Sequence, residues 1–170
     1  MKLPIRILFL CTGNSCRSII AEALANHLGE GRLVAYSAGS FPTGKVNDNA
    51  LAVLARHQVA VEAPTSQSWD EYENVPLDLV ITVCDAAAGE SCPVWLGGTV
   101  KAHWGVQDPA HVEGSDEVIK RAFERTYAQM EDRLEALLAL PLETLEPEQV
   151  AAAMAGIQQQ CLHVQEAVKR

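Results

Sequence analysis

Ile5-Arg6-Ile7-Leu8-Phe9-Leu10-Cys11-Thr12-Gly13-Asn14-Ser15-Cys16-Arg17-Ser18 decides the architecture of this chain. The apolar run Ile5–Leu10 has the length and bulk of a buried strand. The small, turn-prone residues that follow predict a tight loop. Ser18-Ile19-Ile20-Ala21-Glu22-Ala23-Leu24 then opens a helix, predicted over residues 18–28 and stopped near Gly29 and Gly31. A strand, a tight loop and a helix N-terminus in that order can turn backbone N–H groups toward a tetrahedral anion. Arg17 adds a full positive charge. Thr12, Gly13, Asn14, Ser15, Cys16, Arg17 and Ser18 are therefore the candidate oxyanion-binding residues, and Cys11 is the candidate nucleophile. The same field is expected to lower the Cys11 thiol pKa and favour its thiolate. A buried structural cysteine beside a surface arginine is the competing interpretation; it leaves the placement of strand, loop and helix unexplained.

Strand and helix signals alternate beyond this point. Strands are predicted at residues 33–37, 77–83 and 99–103, with a short extended piece at 59–62. Helices are predicted at 50–58, with Asn47, Asp48 and Asn49 as cap candidates, and at 115–140, with Ser115 and Asp116 at the start and Pro141 after the end. Ser66 or Ser68 is placed to cap a short helix through Tyr72. This alternation predicts an α/β fold, a four-stranded parallel sheet flanked by helices. Ligands of such sheets bind beyond the carboxyl ends of the strands, where the strand order reverses. Cys11 and Cys84 each end one of the two most apolar strands, so topology puts both thiols on one rim.

The 170 residues suit one domain with a substantial core, and 48% hydrophobic and 21% charged residues describe a globular chain. A net charge of −9 argues against nucleic acid and anionic membrane as partners. The anion trap must then be a local positive spot on an acidic body. No stretch is long enough to span a bilayer, and the N-terminal apolar run is too short for a signal peptide, so a cytoplasmic location is expected. Five cysteines, at 11, 16, 84, 92 and 161, fit no disulfide framework and no zinc spacing. No metal site and no tightly bound cofactor are expected.

Cys84 and Cys92 are separated by seven residues, after a predicted strand and across an Ala/Gly/Ser-rich segment. Such a segment is small enough to let the two thiols reach the ~7 Å Cα separation a disulfide requires. With the trap on the same rim, the spacing suggests a thiol relay in which Cys84 attacks what is bound to Cys11 and Cys92 resolves it. Asp108-Pro109 follows a strand end and a glycine; an aspartate there can protonate a leaving oxygen if burial keeps its proton on. His103 is read as a satisfied strand-end histidine, while His27, His57, His111 and His163 show no ligand spacing.

Together, residues 11–18, Ser37-Ala38-Gly39, Cys84 with Cys92-Pro93, and His103-Trp104-Gly105 before Asp108-Pro109-Ala110 resemble arsenate reductases of the low-molecular-weight tyrosine phosphatase fold. The likeness spans about residues 5–140, giving a phosphatase-like catalytic domain at 1–140 and a C-terminal helical extension at 141–170. The Cys-x5-Arg-Ser loop and Asp-Pro pair belong to the whole superfamily; the Cys84/Cys92 pair and His-Trp-Gly look specific to the reductase branch. The resemblance implies that Cys11 attacks arsenate held by the loop and Arg17, and that Asp108 helps an oxygen leave as water. Cys84 then displaces arsenite, and a Cys84–Cys92 disulfide is left for thioredoxin, or for glutathione with glutaredoxin. It further implies that Ser18 bonds the Cys11 thiolate, that Asn14 holds the loop, and that Cys16 is structural. Phosphate and sulfate mimic the substrate. The relay cysteines of the best-known relatives are one residue closer. Some relatives bind potassium through positions matching Asn14, Glu22 and Ser37, but the fourth position is Gln67 here, not an acid, and that site stays unassigned.

Two rivals remain. A tyrosine phosphatase would use Cys11, Arg17 and Asp108 and ignore Cys84 and Cys92; the 5% aromatic content and Ala110-His111 after Asp-Pro speak against a phosphotyrosine pocket. A non-catalytic redox sensor would switch a partner-binding surface through Cys84 and Cys92. Beyond Pro141, Val150, Met154, Ile157, Cys161, Val164 and Val168 recur at steps of 4, 3, 4, 3 and 4. This predicts a helix from about residue 146 to the end, its apolar stripe folded back on the domain or used to form a dimer.

Overall fold

The computed structural model describes residues 2–61, 64–84 and 99–169, with backbone alone for 162–169. Strand β1 (Ile5–Leu10) pairs in parallel with β2 (Leu33–Ala38) on one side and β3 (Leu79–Thr82) on the other. Strand β4 (Val100–His103) completes a four-stranded parallel sheet of order β2-β1-β3-β4. The predicted α/β class and strand count are therefore correct. The 77–83 strand is shorter than predicted; the chain enters it where the Asp78 N–H bonds the Arg6 carbonyl at 2.9 Å.

The sheet order reverses between β1 and β3. Cys11 follows one of these strands and Cys84 lies just past the other, and the Val83 N–H bonds the Leu10 carbonyl at 2.9 Å. The two thiols thus leave neighbouring strands at the switch point that parallel sheets use for ligands.

Helix α1 (Arg17–Gly29) packs Ile19, Ile20 and Leu24 into the core. Helix α2 (Asp48–Arg56) is capped by Asn47, whose side chain accepts from the N–H groups of Asn49 and Ala50. Helix α3 (Asp116–Leu138) is capped by Ser115. Of the two cap candidates for the short turn Trp69–Tyr72, Ser68 does the capping. These helices cover a main core centred on Ile5, Ile7, Phe9, Ile81, Phe123 and Met130. A smaller cluster of Leu8, Leu10, Val80 and Tyr72 lies on the other face of the sheet. Successive strand residues point to opposite faces, so Ile7 and Phe9 join one cluster while Leu8 and Leu10 join the other.

Helix α4 (Pro147–Lys169) turns the first half of its stripe inward: Val150, Met154 and Ile157 are buried in the main core, and Cys161 packs at its margin. It lies against β4 and α3. The side chains of Val164 and Val168 fall outside the described residues.

Candidate active site

The loop between β1 and α1 is built by turning its carbonyls outward. The carbonyl of Thr12 accepts from the Phe41 N–H at 3.0 Å, that of Gly13 from Thr43 N–H and Ser66 Oγ, each at 3.0 Å, and that of Ser15 from Asn47 N–H at 2.9 Å. Trans peptide planarity points the N–H groups that follow these carbonyls the other way, into the loop's concave side. Asn14 fixes the curve. It sits in the left-handed region at φ 44° and is fully buried, its Nδ2 donating to Ser18 Oγ at 2.8 Å and its Oδ1 accepting from the Gln67 N–H at 2.8 Å. Asparagine tolerates this backbone region better than most side chains.

Gly39 makes room for the loop. A Cβ there would lie 2.4 Å from the Thr12 carbonyl oxygen and 2.7 Å from that of Cys11. The Ser37-Ala38-Gly39 stretch therefore needs glycine for close approach of two backbones.

Arg17 crosses the mouth of the loop. Its Nη1 donates to the Val106 carbonyl at 2.9 Å and its Nη2 stands 3.5 Å from Asp108 Oδ2. Its Nε is buried and has no hydrogen-bond partner among the described residues. A buried, unpaired donor on a cation is costly, and a bound oxyanion would satisfy it. Asp108 also accepts from the Ala110 N–H at 2.9 Å, and His111 Nε2 lies 3.4 Å from its Oδ2. Cys16 Sγ reaches Asp108 Oδ1 at 3.5 Å. The Cys84 thiol, 2% exposed, hydrogen-bonds the Cys11 thiol, and lies 3.8 Å from Thr12 Oγ1.

Of the residues predicted from sequence, Arg17, Asp108 and the first relay thiol Cys84 line one cleft, and the Cys11 thiol meets that of Cys84. Cys92 lies outside the described residues. The profile of the low molecular weight phosphotyrosine protein phosphatases matches residues 6–151. The chain belongs to this family. An arsenate reductase of Halalkalibacterium halodurans is 39% identical over 129 residues, covering 75% of this chain and 91% of that protein. An arsenate reductase of Bacillus subtilis is 38% identical over the same shares. The crystal structure of an arsenate reductase from Archaeoglobus fulgidus superposes with a TM-score of 0.66 at 25% identity, covering 79% of this chain and 99% of that one.

Within this family member, three expectations need correction. The Cys11 thiol is not lowered but held above its ordinary range. The hydrogen bond with Cys84 favours the protonated form and burial adds to it; Arg17 pulls downward but is outweighed. Burial likewise pushes the Cys16 thiol up to about 12, with the nearby Asp108 charge in support. Second, Asp108 is not sealed from water: its side chain is 20% exposed, with Arg17 Nη2 3.5 Å and His111 Nε2 3.4 Å from its Oδ2. Third, the described hydrogen bond of Ser18 is with Asn14, not with Cys11.

The residues at the potassium positions bond one another. Ser37 Oγ donates to Glu22, whose carboxyl is pushed up by burial, against the pull of that same hydrogen bond. Gln67 Nε2 donates to the Ser37 carbonyl at 3.3 Å and to Tyr72 Oη, which fixes its amide with N–H, not oxygen, toward the group. Asn14 Oδ1 accepts from the Gln67 N–H.

His103 is satisfied as expected, its Nδ1 2.8 Å from Thr82 Oγ1. Sequence reasoning missed the Val106 carbonyl, His111 and two glutamines, Gln158 and Gln159, that line the cleft with Arg17, Cys84 and Asp108. Only the i, i+3 spacing of Asp108 and His111 was visible in advance.

Proposed function

We propose that this chain reduces arsenate to arsenite through Cys11 and Cys84. The observation that carries this is the hydrogen-bonded pair of buried thiols at the ends of adjacent strands. Phosphate ester hydrolysis needs one thiol; a two-electron reduction needs two.

Arsenate is held by the loop N–H groups and by Arg17. Cys11 Sγ attacks arsenic, forming an S–As bond, and one oxygen departs as water with the thiol proton and a proton delivered through Asp108. Cys84 then attacks Cys11 Sγ. The S–As bond breaks, its electron pair stays on arsenic, and arsenite leaves while a Cys11–Cys84 disulfide forms. Two thiols lose two electrons and As(V) becomes As(III). Cys92 attacks Cys84 in turn, freeing Cys11 and leaving a Cys84–Cys92 disulfide for an external dithiol. Thioredoxin is the favoured reductant, with glutathione and glutaredoxin as the alternative. The arsenate reductases of similar sequence support the substrate.

The test is arsenate-dependent oxidation of thioredoxin by the purified protein, run beside glutathione with glutaredoxin. Arsenite release with stoichiometric dithiol consumption is expected. Hydrolysis of p-nitrophenyl phosphate with no arsenate turnover on either donor would instead assign the chain to phosphatase chemistry.

A further inference from the structure

Helix α4 lies almost wholly beyond the family match, which ends at residue 151, yet it walls the active-site cleft through Gln158 and Gln159. Gln158 uses both ends of its amide. Its Oε1 accepts from Arg133 Nε at 2.9 Å, and its Nε2 donates to the Gly105 carbonyl at 3.2 Å. Arg133 is 1% exposed and is fixed again by donating from Nη1 to the Gln129 carbonyl at 2.9 Å. A buried guanidinium thus sets the sense of the Gln158 amide, because a flipped amide would face N–H against N–H and carbonyl against carbonyl.

What Gln158 holds is the connection from β4 to Asp108. Trp104, fully buried, donates from Nε1 to the Met154 carbonyl of the same helix at 3.1 Å. Gly105 is held by Gln158, Val106 accepts from Arg17, and Asp108 faces Arg17. The segment is therefore tied to α4 at residues 104 and 105, to the anion-binding arginine at 106 and 108, and to Thr82 and Val83 through the Trp104 and Val106 amides. Strand β4, which leads into it, is at the sheet edge, so among the described residues no further strand supports it.

We propose that Gln158, through the chain Arg133–Gln158–Gly105, is a positioning residue that holds Asp108 and Arg17 in register with the anion loop. The proposal rests on the roles given above to Asp108 and Arg17, and makes the C-terminal helix part of the catalytic apparatus.

The experiment is a double-mutant cycle between Gln158→Met and Asp108→Asn, with hydrogen exchange as a readout independent of turnover. Displacing a catalytic group by about 1 Å can cost up to ~100-fold in rate, so Gln158→Met is expected to lower kcat for arsenate about tenfold or more. In the Asp108→Asn background the same change is expected to cost clearly less than in wild type, because one of the two groups it positions is already disabled and only the Arg17 share remains. Fully additive losses would overturn the proposal. Exchange at the Val106 amide, bonded to the Val83 carbonyl, and at the Ala110 amide, bonded to Asp108, is expected to accelerate while α1 stays unchanged. Unchanged protection at both would also overturn it. Gln158→Glu keeps the acceptor for Arg133 but sets an oxygen against the Gly105 carbonyl; it is expected to behave as Gln158→Met does, and it serves if that variant does not fold. If the wild-type protein fails to turn over arsenate, the proposed reaction falls, and the exchange data alone decide the role of Gln158.

Discussion

The Cys11 and Cys84 thiols are hydrogen-bonded to one another, and this contact is the largest influence holding the Cys11 proton in place. In the proposed cycle the nucleophile is thus restrained by the residue that later attacks it. Replacing Cys84 by alanine removes that restraint. The Cys11 thiol is expected to ionise at lower pH in Cys84→Ala, seen as a shift of its alkylation rate profile toward acid. The same variant is expected to complete one arsenate-binding event but no multiple turnover. An unmoved profile would show that the contact does not govern the proton.

Gly39→Ala is expected to damage the anion loop. The added methyl would meet the carbonyl oxygens of Thr12 and Cys11 at 2.4 and 2.7 Å, and neither backbone can yield without moving the loop. Overpacking of this kind costs about 1–3 kcal/mol. A lowered urea midpoint together with weakened phosphate binding by calorimetry checks it; binding at wild-type affinity would contradict the close approach.

Helix α4 is expected to contribute to global stability as a core element. Met154 is fully buried, and its carbonyl accepts from Trp104 Nε1. Met154→Ala removes the side chain but keeps that carbonyl, and buried methionine truncations cost about 2–5 kcal/mol. A single cooperative urea transition at lower midpoint is expected. A wild-type midpoint would mean that the helix is not packed as described.

Stability at acid pH has an identifiable surface contributor. Glu124 of α3 takes Arg56 Nε at 2.7 Å and His57 Nε2 at 2.6 Å, and His57 stacks on Tyr127 with ring centroids 3.9 Å apart. Slight burial pushes the Glu124 carboxyl up, but the hydrogen bonds and charges of His57 and Arg56 together bring it below its ordinary 4.5. A carboxylate lowered in the folded state stabilises above its unfolded pKa and loses that contribution as pH falls through the folded value. Glu124→Gln is therefore expected to lose about 0.5–1 kcal/mol near neutrality, and to show a shallower stability loss below pH 4.5 than wild type. Parallel acid limbs in urea titrations would remove this pair from the account.

The sequence by itself determined the local order of this protein. Ile5–Leu10 has to be buried, Thr12 to Ser15 have to turn, and residues after Ser18 have to coil, because each follows from side-chain size and period over a few neighbours. That order alone placed Cys11 and Arg17 in one trap, and the reversal of strand order put Cys84 beside it. Only the tertiary structure decided what those groups feel. The restrained Cys11 proton comes from a thiol 73 positions away in the chain, the exposure of Asp108 from how its loop lies, and the reach of Gln158 to Gly105 from the docking of α4 on β4. Proton affinity and bracing depend on distances between segments that pack late and far apart in sequence, and such distances leave no mark on local pattern.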